Sequence, residues 1–553
     1  LSALRARPLG PRLGGADSGE RVPTPLAFGS GASLVTEIRG AVREQHDIEV
    51  GGVDPGALVG LHRAFAGEPR AATLALRHDP NGGLPTLGAA FAGFTDAIYG
   101  IAIDVGSTTI AGHLCDLTTG EVVGSVGRMN PQIRFGEDLM SRVSYVMMNP
   151  GGEQQLTTAV RGALDELVRE LTSKAAVDPS HVLDVVIVGN PIMHHLVLGI
   201  DPTPLGTAPF ELATDEAVHT RARDLDVDLP NAAVYLLPCI AGHVGADTAA
   251  AMLAEGPHRC DHPQLLVDIG TNAEIVLGSV DAVFAASSPT GPAFEGAQIS
   301  SGQRATVGAI ERVRVDRATG APRVRVIGCD LWSDDCAFES EAPAVTGICG
   351  SGIVEAIAEL FLAGVIAADG TIGPGDPSTP HIVPDGRTFS YVLFEAGDTQ
   401  LRVTQNDVRA IQLAKAALRA GIDLLLEHAG QETVTDIRLA GAFGAHIDPL
   451  YAMVLGLVPD CPLAGVRGVG NAAGAGAVRA LLSGAQRREI ETAVRHVVKL
   501  ETAMEPRFQE LFVAAMGFPH TSALTPHLAE LVELPERRAP VRTRRRRTIK
   551  ETP

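Results

Sequence analysis

Two stretches of the chain follow one design. Residues 98–109 read Ile-Tyr-Gly-Ile-Ala-Ile-Asp-Val-Gly-Ser-Thr-Thr, and residues 265–274 read Leu-Leu-Val-Asp-Ile-Gly-Thr-Asn-Ala-Glu. Each is a short apolar run of strand character that meets an aspartate and then a Gly-Ser/Thr turn. The recurrence after about 160 residues predicts two similar half-domains facing one another across a cleft, with an internal repeat as their origin.

The residue types suit phosphate. Gly106 lets the backbone come close, the hydroxyls of Ser107, Thr108 and Thr109 can donate hydrogen bonds, and Asp104 can hold a hydrated Mg²⁺. Asp268, Gly270, Thr271 and Asn272 repeat the pattern. Two opposed aspartate turns concentrate negative charge, so nucleotide and metal are expected to bind together. A third element lies at 437–444, where a strand runs into Gly441-Ala442-Phe443-Gly444 and predicts a flat surface for a purine. Small residues dominate 245–254 and 470–480, which predicts two helices that cross closely at a hinge.

With 553 residues the chain is too long for one core, so two to four domains are expected. A net charge of −20 argues against a nucleic-acid-binding body. No run of 18 apolar residues suggests a membrane-spanning helix, and no signal peptide is visible. Seven scattered cysteines read as reduced, cytoplasmic thiols. None falls in the Cys-x₄-Cys-x₂-Cys spacing of a plant-type [2Fe–2S] site.

Residues 1–30 read as a flexible linker, 31–97 as a small α/β domain, 98–263 and 264–535 as two large lobes, and 536–553 as a basic disordered tail. Adjacent His194 and His195 would point about 100° apart on a helix, which argues against a shared metal. Thr346–Gly352 turns into a helix. It is either a second phosphate or ribose contact or a plain helix start capped by Ser351.

The ordered set of phosphate turn, small-residue helix, second phosphate turn, Gly-x-x-Gly loop and second small-residue helix resembles the actin, sugar-kinase and chaperone-ATPase superfamily. The segments YGIAIDVGSTTIAGHLCDLTTGEVV, NPQIRFGEDLMSRV, VDIGTNAEIVLG, SPTGPAFEGAQISSG, GICGSGIVEAI and LAGAFGAHIDP narrow the likeness to the reductive activators of corrinoid proteins, over about residues 31–535. The resemblance implies a duplicated ribonuclease-H-like, actin-type ATPase of two lobes, preceded by a small α/β middle domain.

It also implies an ATPase that uses ATP and Mg²⁺ to drive reduction of Co(II) to Co(I) on a partner corrinoid protein. By position, Asp104, Gly106, Ser107, Thr108 and Thr109 would hold the β/γ-phosphates. Asp268, Gly270, Thr271 and Asn272 would clamp them from the other side, with Mg²⁺ at Asp104 and Asp268. Gly441, Ala442, Phe443 and Gly444 would line the adenosine, and Asp247 and Glu274 would orient the attacking water. Family members usually carry an N-terminal [2Fe–2S] ferredoxin domain, and its four cysteines are not in this sequence. The resemblance therefore implies either a truncated chain or a ferredoxin-like outside donor, and it leaves room for a homodimer.

Three other readings share the nucleotide cleft. A small-molecule kinase would need a catalytic base facing a substrate pocket. A radical-dehydratase activator would need cysteines bridging a dimer's cluster. A nucleotide-dependent scaffold would need no opposed aspartates.

Overall fold

The computed structural model describes residues 2–4, 32–66, 72–78, 82–374, 379–397, 399–444 and 446–535. Residues 1 and 5–30 of the expected linker and all of the basic tail lie outside them. The chain divides into two compact units. The first holds residues up to Asp261 together with Ser279–Ala285 and Asn471–Lys499, and the second holds His262–Gly278, Ala286–Gly470 and the segment from Leu500.

At the start of the first unit, helices Leu34–His46 and Pro55–Phe65 cover a four-stranded sheet in the order Ser2–Leu4, Ala72–Arg77, Thr86–Ala92, Gly52–Val53. Ile38, Val42, Leu61, Leu74, Leu76 and Leu87 form its core. Ser2–Leu4 pairs antiparallel with Ala72–Arg77, so part of the segment read as linker is an edge strand.

The main sheet of this unit has six strands in the order Val122–Met129, Thr109–Asp116, Tyr99–Val105, Val182–Gly189, Ala233–Leu236, Val218–Arg221. Tyr99–Val105 pairs antiparallel with Thr109–Asp116 and parallel with Val182–Gly189. Helix Gly152–Lys174 lays Leu156, Val160, Leu164, Leu167, Val168 and Leu171 into the core, an apolar stripe of helical period. Val182–Gly189 is buried along its whole length, as a central parallel strand should be.

The second unit repeats the order. Its strands Ala273–Gly278, Gln264–Ile269, Asp436–Ala440 and Val466–Gly470 lie side by side, the first pair antiparallel and the next two pairs parallel. These match Thr109–Asp116, Tyr99–Val105, Val182–Gly189 and Ala233–Leu236 in position and direction. Asp104 and Asp268 are each the next-to-last residue of the corresponding strand. The internal repeat is therefore structural, down to the register of its aspartates.

The units depart from the expected lobes, since Ser279–Ala285 and 471–499 both fall in the first unit. Segment 471–499, read as part of the second lobe, packs with the first unit, because helix Ala472–Leu482 lies on helix Ala246–Glu255. A Cβ on Gly476 would stand 1.8 Å from the Ala250 carbonyl oxygen, so the two backbones touch through glycine and alanine.

Candidate nucleotide site

In the first unit the hairpin Tyr99–Val105/Thr109–Asp116 fixes the first aspartate turn. The Gly106 amide donates to the Thr109 carbonyl at 3.1 Å. A Cβ at 106 would sit 2.6 Å from that same oxygen, so the turn closes only around glycine. Asp104 leaves the end of its strand beside Asn471, whose Nδ2 donates to Asp104 Oδ2 at 2.9 Å. Asn471 also caps helix Ala472–Leu482 by accepting from the Gly474 amide at 2.7 Å.

Asp247 sits in the first turn of helix Ala246–Glu255, where its Oδ1 accepts from the Thr248 amide at 2.7 Å. Burial pushes the Asp247 carboxyl up to about 7, and the neighbouring Asp104 carboxylate adds to it. Burial likewise raises Asp104 to about 6, against the opposing hydrogen bond from Asn471. The crossing of the two small-residue helices thus brings Asp104, Asp247 and Asn471 together. Asn471 was not among the residues expected to act, since nothing local to it signals a contact with a residue so distant in sequence.

The second turn is built in the same way. The Gly270 amide donates to the Asn272 carbonyl at 3.1 Å, and Thr290 Oγ1 donates to the carbonyls of Gly270 and Thr271 at 3.0 Å each. Thr271 Oγ1 donates to Glu295 Oε1 at 2.6 Å. Glu274 lies directly across the antiparallel pair from Asp268, so both side chains leave the same face of the sheet. Ser287 Oγ holds Glu274 at 3.4 Å. Thr290 and Glu295 sit in the loop 290–296, which carried no assigned role in the sequence.

The Gly-x-x-Gly segment differs from expectation. Gly441–Gly444, including Ala442, is one helical turn rather than a flat strand end. Gly441 has φ of 92°, and a Cβ there would meet Asp268 Oδ1 at 2.6 Å, which keeps this corner open to glycine alone. The Phe443 ring stacks on Phe294 at 5.5 Å with 14° between the planes, and a Cβ on Gly350 would touch it at 2.6 Å. Ser351 is not a cap. Helix Gly350–Leu362 starts two residues earlier than that cap would give, with Cys349 at its N-cap and no side-chain bond.

His194 and His195 do not form a metal pair. His195 Nε2 accepts from the Ala213 amide at 3.0 Å, so its Nδ1 is the donor to the Pro191 carbonyl at 2.8 Å, and the ring is a neutral tie. His194 is buried, and neither ring nitrogen has a hydrogen-bond partner among the described residues.

Carboxylate oxygens are the donors that Mg²⁺ prefers, and Mg²⁺ is usually held by one or two of them with phosphate and water. Asp104 and Asp247, each raised in the absence of a cation, fit that requirement. A [2Fe–2S] cluster does not fit. Cys115, Cys239, Cys349 and Cys461 are buried, and burial pushes the Cys115 and Cys461 thiols up to about 11. No group of three or more metal-ligating side chains occurs among the described residues. No helix among them is long and apolar enough to cross a membrane.

The family described as "C-terminal domain of RACo the ASKHA domain" matches residues 262–529, and "RACo middle region" matches 99–260. The second name therefore falls on the segment read from sequence as the first ATPase lobe.

The chain is 36% identical over 429 residues to the corrinoid activation enzyme RamQ of Eubacterium limosum, covering 75% of this chain and 70% of that one. It is 27% identical to the [Co(II) methylated amine-specific corrinoid protein] reductase of Methanosarcina barkeri, covering 66% of each. A solved structure titled as a reductive activator for corrinoid, iron-sulfur protein superposes with a TM-score of 0.78 at 30% identity. That match covers 90% of this chain and 78% of the other. With an actin-type fold repeated in two units and relatives of this closeness, the chain belongs to the RACo family of corrinoid-protein activators.

Proposed function

We propose that this protein is an ATP-dependent reductive activator: it hydrolyses ATP to drive an electron onto the Co(II) centre of a partner corrinoid protein, giving Co(I). The observation that carries the reading is the pair of aspartate turns at the same place in two repeats, joined to a family of corrinoid activators.

In this reading each turn is a contact for Mg·ATP. Ser107, Thr108 and Thr109, with Gly270, Thr271 and Asn272, bind the phosphates, and Gly441–Gly444 takes the adenosine. Asp104, with Asp247 beside it and Asp268 from the other repeat, would hold Mg²⁺, which supplies charge neutralisation at the β- and γ-phosphates. Asp247 and Glu274 orient the attacking water.

ATP and water become ADP and phosphate, and one electron passes from an external low-potential donor to Co(II). The cysteines of this chain do not fit a cluster, so no electron step is assigned to them.

The test is ATP hydrolysis by the protein with and without a Co(II) corrinoid protein in the presence of a chemical reductant. The reading predicts stimulation by the corrinoid protein, and loss of turnover in Asp104→Ala with the fold retained. Full turnover in Asp104→Ala refutes the phosphate assignment, and an absence of both stimulation and Co(I) refutes the activator role.

A further inference from the structure

The first phosphate turn is held from behind by residues to which no role has been given. Asn130 Nδ2 donates to the Gly106 carbonyl at 2.9 Å, and the Asn130 amide donates to the Thr108 carbonyl at 2.8 Å. Between them, Arg142 Nη2 donates to the Ser107 carbonyl. Three successive carbonyls of the turn are therefore drawn to one side. Across a flat trans peptide the amide of the next residue points the opposite way, so the Ser107 and Thr108 N–H groups are turned away from Asn130 and Arg142. Successive amides aimed outward make a concavity for an anion.

Arg142 is fully buried, the largest such side chain among the described residues. Its remaining contacts are the Gly136 carbonyl at 3.0 Å, Gln132 Oε1 at 3.3 Å and Met193 Sδ at 3.5 Å. All are neutral. Asp138, whose negative charge favours the guanidinium at longer range, caps helix Leu139–Met148 through the Ser141 amide and hydroxyl and makes no ion pair with Arg142. Burial lowers the guanidinium to about 10, so it stays charged at neutral pH. A buried charge with no carboxylate paired to it is costly unless a second counter-charge arrives. The second turn is backed differently: Thr290, a neutral hydroxyl, takes the equivalent carbonyls.

We propose that Arg142 is the positioning residue of the first phosphate turn: with Asn130 it fixes the outward set of the amides, and its charge, ion-paired with no carboxylate, is answered by the phosphates of the nucleotide. This rests on the reading of the site as an ATP site. The two turns are then unequal, the first a preformed cationic seat and the second a neutral clamp.

The experiment measures equilibrium binding of Mg·ATP and of adenosine to the full chain. Wild type must bind Mg·ATP; if it does not, the ATP reading falls, and this inference with it. Arg142→Met, which keeps bulk and removes charge, should weaken Mg·ATP by about 10- to 100-fold and leave adenosine unchanged. Arg142→Lys, which keeps charge, should recover most of the loss.

Gln132→Glu places a carboxylate beside the guanidinium, so it should weaken Mg·ATP selectively even where Arg142→Met fails to fold. A merely structural role predicts equal loss for ATP and adenosine. That result, or unchanged ATP binding in Gln132→Glu while wild type binds ATP, overturns the inference and leaves the ATP reading standing.

Discussion

Replacing Gly476 with alanine tests the helix crossing that assembles the first-unit site. In a solvent-facing helix the change from glycine to alanine stabilises by about 1 kcal/mol. At Gly476 the added Cβ would lie 1.8 Å from the Ala250 oxygen and 2.3 Å from its carbonyl carbon, against a closest real approach of 3.0 Å. Both contacts are backbone, so no side chain can swing aside, and the two helices must separate. Overpacking of this kind costs about 1–3 kcal/mol and occasionally more, and a backbone clash belongs at the upper end.

The net expectation is a loss of roughly 2 kcal/mol or more. The control is Gly162→Ala in helix Gly152–Lys174, where a Cβ meets nothing within 4 Å. Its expected gain is about 1 kcal/mol. The same substitution should therefore have opposite signs at two helical glycines, read as melting temperatures moving in opposite directions. Separation of the helices also draws Asn471 away from Asp104, so ATP turnover should fall with Gly476→Ala and hold with Gly162→Ala. A Gly476→Ala variant that melts higher than wild type, with turnover intact, would refute the crossing and the site built on it.

Two further outcomes follow from single contacts. Thr290→Val removes the donor to the Gly270 and Thr271 carbonyls. It should cost about 1–3 kcal/mol and raise the KM for ATP, and kinetics indistinguishable from wild type would count against the second turn. His194 is held neutral by burial, with a smaller push from His195, which lowers its imidazole to about 4. The unfolded chain protonates this group near 6.5 and the folded one does not. Its contribution is therefore present above pH 6.5 and is lost as pH falls towards 4, by about 3 kcal/mol in all. His194→Phe should flatten that part of the acid-unfolding profile. An identical acid slope in variant and wild type would show that His194 is solvated.

The repeat was legible because its signal is local: an apolar strand, an aspartate and a glycine turn lie within one short stretch, twice. The strand order of each sheet follows from it. The small-residue helices were legible as a pair because only alanine and glycine allow such an approach.

The contact of Asn471 with Asp104 was not legible, because it depends on where a distant helix docks. That docking also carries segment 471–499 into the first unit. Arg142 did leave a trace. It interrupts the buried face that Val143 and Val146 share on helix Leu139–Met148, and an arginine in an apolar stripe needs partners that the helix cannot supply. The turn at Gly441–Gly444 was misread because Gly-x-x-Gly permits a flat strand end and a helical turn alike. The packing of Phe443 on Phe294 selects the second.

The most direct measurement is the spectrum of a Co(II) corrinoid protein mixed with this protein and a reductant too weak to reduce cobalt alone. Addition of Mg·ATP should bring up the Co(I) spectrum in step with ADP release, and a non-hydrolysable ATP analogue should not. Hydrolysis that proceeds while the cobalt stays Co(II), or Co(I) that forms equally well without ATP, would contradict the account.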